Sequence, residues 1–203
     1  RMDDPDIGRE EIRERTDRMI EETVRVERLI EHLLEVSRRD ELHRSQERID
    51  TILSGIVGRM EGTAQKLACQ IAFEPGSTRR LFLDRVRIER ALHNLVRNAL
   101  EAAAEGAGHV WITTRDDPHS TVIVIDDDGP GIRPEDRSRV FVIYTTGKRG
   151  GTGLGLPLAR EDILRHGGEI EVLSRPGGGA RFVVYLPPES SSSDGGEAPW
   201  PAS

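Results

Sequence analysis

Asp127-Asp128-Gly129-Pro130-Gly131 closes a strand-like run, and Gly150-Gly151-Thr152-Gly153-Leu154-Gly155 opens a helix-like one. Upstream of both, Asn94 and Asn98 stand one turn apart on a segment with strong helical periodicity. Glycines let backbone approach a ligand closely, and a helix amino end offers N–H groups and a positive dipole to an anion. An amide oxygen is a hard donor for a divalent cation. Together the three stretches describe a pocket in which backbone amides meet phosphates, an amide side chain meets a metal and a strand-end carboxylate meets a base, that is, a nucleotide pocket.

Around these stretches the periodicity alternates between two kinds of element. Residues 48–67 place Ile49, Ile52, Leu53, Ile56, Val57 and Met60 on one helical face, and residues 86–104 place Ile88, Ala91, Leu92, Leu95, Val96, Ala99 and Leu100 on another. Residues 69–73 and 80–84 read as short strands around a Pro75-Gly76 turn, and 109–114 and 121–125 as neighbouring strands. A helix over 156–166 stops at Gly167-Gly168, and strands over 169–174 and 180–186 are joined by Pro176-Gly177-Gly178-Gly179. This order predicts an α+β domain, a two-layer sandwich with a mixed sheet and helices on one face. Residues 40–46 form a polar stretch ahead of the helical pattern over 48–67, with no element assigned to it. Residues 189–203 are Ser, Gly, Pro and Glu with one Trp, a composition that cannot bury enough apolar surface to fold.

The amino-terminal segment is of a different kind. Over residues 8–39, Ile12, Met19, Val26 and Leu33 recur every seven positions, with Thr16, Thr23, Ile30 and Ser37 between them, and Glu and Arg fill most of the rest. A narrow seam on so charged a helix predicts a partner helix, in a bundle or a dimer, with packing on its own domain as the other possibility. The chain is thereby divided into a helical segment over 1–45, a nucleotide-binding domain over 46–188 and a tail over 189–203.

Composition removes several classes. The 203 residues are 35% hydrophobic and 32% charged, with a formal net charge of −7 spread over both signs, so there is no basic face for nucleic acid. No apolar run has membrane length. The lone cysteine, Cys69, lies in an apolar stretch and reads as a small buried hydrophobe in a reducing compartment.

Two familiar phosphate loops fail on spacing. A P-loop requires Gly five residues before Gly147-Lys148, where Val142 stands, and Ser or Thr after it, where Arg149 stands. The dinucleotide fingerprint requires a third glycine where Leu156 or Leu158 stands, depending on which pair of glycines is counted from.

The stretches Leu95-Val-Arg-Asn98-Ala-Leu-Glu-Ala102, Asp127-Asp-Gly-Pro-Gly-Ile132 and Gly151-Thr-Gly-Leu-Gly-Leu156 resemble the asparagine box and the two glycine boxes of sensor histidine kinases, members of the ATPase superfamily shared with gyrase, the heat-shock chaperone and the mismatch-repair ATPase. The resemblance runs over 48–188. Residues 26–38 resemble the second helix of the same family's dimerisation bundle. It implies a Bergerat-type fold, ATP and Mg²⁺ as cofactors, a response regulator receiver domain as partner, a homodimer through the amino-terminal helix, and a bacterial cytoplasmic location. Within it, Asp127 holds the adenine amino group, with Gly129, Gly131 and Ile132 beside the ring. Asn98 holds the metal, and Asn94 supports the metal or the phosphate end. Residues 141–150 are similar to a short ATP lid, bringing Tyr144, Thr145, Thr146 and Lys148 to the nucleotide. Gly151, Thr152, Gly153, Leu154, Gly155 and Leu156 cradle the phosphates. Arg97 is equally a phosphate contact or a solvated helix residue. Glu101 departs from the family, which often carries a Lys near there.

Position 94 separates branches of that superfamily. Hydrolytic members resemble one another in placing Glu there as general base, whereas Asn94 suits an imidazole acceptor, which is neutral over much of the physiological range. The expected reaction is transfer of the ATP γ-phosphate to histidine, with Asn94 and Asn98 as the catalytic pair; hydrolysis of ATP and a nucleotide-sensing scaffold are the alternatives. None of His32, His43, His93, His109, His119 and His166 sits in the family's acceptor motif, so the acceptor is expected before Arg1 and the chain is expected not to phosphorylate itself.

Overall fold

The computed structural model describes residues 42–142 and 153–188. The expected helix over 8–39 and the tail over 189–203 lie outside the described residues.

Among the described residues, seven strands and three α-helices follow in the order β1 (Arg44–Glu47), α1 (Ile49–Lys66), β2 (Gln70–Glu74), β3 (Leu81–Asp84), α2 (Arg85–Ala103), β4 (His109–Asp116), β5 (Thr121–Asp127), α3 (Gly155–Arg165), β6 (Glu169–Ser174) and β7 (Ala180–Leu186). A 3-10 turn, Pro134–Asp136, follows β5. The main sheet has strand order β2-β4-β5-β7-β6. β2 runs parallel to β4, and the other three pairings are antiparallel. The expected α+β sandwich with a mixed sheet is therefore the fold.

Its layers follow from alternation. Val110 and Ile112 of β4, Ile123 and Ile125 of β5, Ile170 and Val172 of β6, and Phe182 and Val184 of β7 point into one apolar core with the three helices. α2 lies at the centre of that layer. Ile88, Ala91, Leu92, Leu95, Val96, Ala99, Leu100 and Ala103 are all buried along one stripe, and each larger aliphatic among them contributes about 1.5–3 kcal/mol by leaving water. The helix starts where Asp84 caps it, its carboxylate accepting from the Arg87 N–H at 3.2 Å.

One element joins those expected, and one expectation is corrected. Arg44–Glu47, which begins within the polar stretch 40–46, forms β1, paired antiparallel with β3 from Arg44↔Asp84 to Glu47↔Leu81. Arg-Ser-Gln-Glu carries no apolar alternation, so its strand character comes wholly from its partner. β2 and β3 do not neighbour each other across Pro75-Gly76; β2 joins the main sheet and β3 the two-stranded one. Asp116 explains the shape of the loop between them. Its carboxylate accepts from the Ser77 hydroxyl at 2.7 Å, the Thr121 hydroxyl at 2.8 Å, and the N–H groups of Thr78 and Arg79 at 2.9 and 3.1 Å. Burial alone raises its pKa, but these donors outweigh burial and hold it down at about 2. The loop is thus fastened to the far end of β4, where Gly76 N–H also donates to Thr114 Oγ1 at 2.8 Å.

Candidate functional site

β5 ends in Asp126 and Asp127, Asp128 follows directly, and the three aspartates have three different environments. Register places Asp126 opposite Trp111, on the face away from the helices, and Asp127 opposite Val110, on the helix-covered face. Asp126 takes the Arg181 guanidinium side-on, through contacts of 2.7 and 2.6 Å. Asp128 accepts from His109 N–H at 2.9 Å and meets His109 Nδ1 at 2.8 Å. Burial works to raise the Asp128 pKa, but the His109 hydrogen bonds prevail and lower it. Asp127, between them, is only 1% exposed. Its Oδ1 accepts from Gly129 N–H at 3.0 Å and from Ala180 N–H at 3.3 Å.

At two glycines around Asp127 the backbone leaves no room for a side chain. A Cβ on Gly129 would stand 2.5 Å from the carbonyl oxygen of Ala102 in α2. A Cβ on Gly179 would stand 1.8 Å from the Asp127 carbonyl oxygen, at a φ of +97° that already disfavours any other residue. The turn after β5 is therefore pressed between the carboxyl end of α2 and the β6–β7 hairpin. Ile132 packs against the core just beyond it.

The other end of the site lies two turns back along α2. A Cβ on Gly155, the first residue of α3, would lie 3.4 Å from Arg97 Nη2 and 3.7 Å from the side-chain amide of Asn94. Asn94 and Arg97 thus face the amino end of α3, and Asn98, half-buried, follows one turn after Asn94 on the same helix. Gly153 has a φ of +64°, Leu154 is buried, Leu156 packs against the core, and no side chain among the described residues caps this end of α3. Arg97 also pairs with Glu101, Nε to Oε1 3.7 Å. The residue that departs from the family pattern thereby becomes a partner of the arginine beside it. Burial, then the charges of Arg97 and Arg59, lower the pKa of His93, next to Asn94. Tyr144, Thr145, Thr146, Lys148, Gly151 and Thr152 lie outside the described residues.

α2 and α3 pack at three levels. At the outermost, His166 at the end of α3 accepts the Asp84 N–H on Nε2 at 3.0 Å, while its Nδ1 meets the Asp162 carbonyl oxygen at 2.6 Å. This fixes a neutral ring with hydrogen on Nδ1. Burial is the main cause that lowers its pKa. At the middle level, Asp162, 1% exposed, accepts the Arg90 fork through two 2.9 Å hydrogen bonds, with Arg87 Nη1 at 3.6 Å. Burial dominates and raises the Asp162 carboxyl against the pull of both arginines. The third level is the Asn94–Arg97–Gly155 contact. Residue numbers rise along one helix as they fall along the other, so the pair is antiparallel.

Sequence reasoning missed Asp162, His166 and Arg90. A signal was present: Asp162 falls between the buried Ala159 and Ile163 on the apolar stripe of α3, where a carboxylate is unusual and demands a cation.

Comparison with known proteins bears on the same region. Residues 83–190 match the family described as histidine kinase-, DNA gyrase B-, and HSP90-like ATPase. The alginate biosynthesis sensor protein KinB of Pseudomonas aeruginosa is 40% identical over 129 residues, which are 63% of this chain and 21% of that protein. Full-length ShkA in complex with AMPPNP superposes with a TM-score of 0.66 at 25% identity, covering 74% of this chain and 32% of ShkA. Histidine kinase ThkA in complex with the response regulator protein TrrA gives a TM-score of 0.73 at 28% identity, covering 92% of this chain and 53% of ThkA. The chain spans about a fifth to just under half of the length of the curated relatives it matches.

Proposed function

The chain belongs to the histidine kinase-, DNA gyrase B- and HSP90-like ATPase family, and from that membership we propose that it is the ATP-binding catalytic part of a sensor histidine kinase. In this reading the γ-phosphate of ATP passes to a histidine and then to a response regulator. The observation that carries it is the course of α2. One helix presents Asn94 and Arg97 to the amino end of α3 and, eight residues after Asn94, packs Ala102 against Gly129 beside Asp127. Eight residues of helix are about 12 Å long, enough to lay a nucleoside triphosphate along it from base to phosphates. KinB, a sensor protein, the AMPPNP bound to ShkA and the response regulator bound to ThkA support the same assignment.

Each residue then has a task. Asp127 accepts a hydrogen bond from the adenine amino group, and the packing of Gly129 and Gly131 keeps backbone against the ring. The N–H groups at the start of α3, which no described side chain caps, and the Arg97 guanidinium take phosphate oxygens. Mg²⁺ supplies neutralisation of phosphate charge, and Asn98 Oδ1, a neutral oxygen donor, is the residue that would hold it. Asn94 orients the same end. It is not a base, and an imidazole acceptor does not require one. His166 is 2% exposed with both ring nitrogens engaged, so it is not the acceptor. We place that histidine outside this chain, with the heptad seam of residues 8–39 joining two copies.

Calorimetric titration of Mg²⁺-ATP tests the reading. Wild type binds, and chelating Mg²⁺ weakens its affinity for ATP; Asn98→Ala binds ATP weakly and no longer responds to the chelator. Steady release of inorganic phosphate by the wild-type chain would instead favour a hydrolase.

A further inference from the structure

We propose that the Arg90–Asp162 ion pair is a positioning device for the phosphate end of the nucleotide site, an inference that rests on the nucleotide-binding reading above. Asp162 occupies a stripe position between Ala159 and Ile163 where an aliphatic side chain would complete the core. Burying a carboxylate there carries a desolvation cost, and apolar replacement of such pairs is often neutral or favourable for stability. Stability alone therefore does not account for the pair. What a forked guanidinium–carboxylate contact adds is geometry, since two parallel hydrogen bonds fix a distance and an angle together.

The lever is short and stiff. Arg97 lies seven residues after Arg90 on α2, and Gly155 seven residues before Asp162 on α3. Both intervals are two helical turns, about 10.5 Å of rise. In an antiparallel pair the clamp at Arg90–Asp162 therefore sets how far the α3 amino end stands from Asn94 and Arg97. Between those two levels lie small Ala91 and Ala159, both fully buried, whose methyl groups offer no directional contact of their own. The adenine end is independent of this clamp. Asp127 is held by the N–H groups of Gly129 and Ala180 and pressed by Gly179 of the β6–β7 hairpin, not by the Arg90 fork.

Arg90→Lys keeps the charge and removes the fork, and Arg90→Met/Asp162→Leu removes the pair while filling its volume. The readouts are Mg²⁺-ATP affinity, adenosine competition against a fluorescent ATP analogue, and thermal stability. Both variants are expected to unfold near the wild-type temperature and to compete with adenosine as wild type does, while binding ATP about tenfold more weakly. ATP affinity equal to wild type in both variants overturns the proposal, as does an equal loss for adenosine and ATP. Failure of the wild-type chain to bind ATP overturns the functional reading itself, and the proposal with it.

Discussion

The two ends of the proposed nucleotide site are built by different means. The base end is a wedge of backbone, in which Gly129 and Gly179 press on Ala102 and Asp127 at distances that exclude a Cβ. The phosphate end is a meeting across two helices, where a Cβ on Gly155 would find ordinary van der Waals room beside Asn94 and Arg97. A wedge of backbone is set by which residues lack side chains, so it is rigid and written locally. A helix–helix meeting is set by packing elsewhere, so it is adjustable and responds to distant charges such as Asp162.

The contrast is broken most severely at Gly179. Gly179→Ala puts a Cβ 1.8 Å from the Asp127 carbonyl oxygen at a positive φ, and should cost about 3 kcal/mol or more in denaturant unfolding, with loss of ATP and adenosine together. A stable variant that binds adenosine normally would show that the wedge is dispensable. Next, Asp116→Asn removes the acceptor that fastens the β2–β3 loop and should cost roughly 2 kcal/mol without altering relative ATP and adenosine affinities. The wild-type pKa is depressed to about 2, so this stabilisation is complete above the ordinary aspartate value near 3.8 and is lost as pH falls from there to about 2. Acid unfolding of Asp116→Asn should lack that component.

The smallest effect concerns His166. Its pKa is lowered in the folded state, so the unfolded chain binds more protons and stability falls as pH drops below the ordinary histidine value near 6.5. The slope contributed by one such group is at most about 1.4 kcal/mol per pH unit. His166→Gln should flatten it between pH 7 and pH 5 without abolishing it, because His93 shifts in the same direction. An unchanged slope, followed by chemical denaturation at several pH values, would remove the neutral-ring assignment.

What the sequence disclosed follows the same division. Strands β6 and β7 fall at the residues their periodicity predicts, and Asp127 at the strand end where its glycines place it, because alternation and turn chemistry are local. β1 escaped notice because Arg-Ser-Gln-Glu pairs only by virtue of β3, nearly forty residues away. The pairing partners of β2 and β3 are likewise set by distant strands, which overrode the turn between them. Asp162 stands on an apolar stripe that calls for a cation, but which cation answers it is set by the fold, since Arg90 lies seventy-two residues earlier. Arg97, balanced between phosphate contact and solvated residue in sequence, lies beside Gly155 in the fold.

The central claim is that Asp127 marks the base end of a nucleotide site laid along α2. Calorimetric titration of Mg²⁺-ATP and of adenosine against wild type and Asp127→Ala tests it most directly. The account predicts that Asp127→Ala weakens both ligands by at least about tenfold, the loss of a buried hydrogen bond to the base. Affinity for both ligands equal to wild type would contradict it.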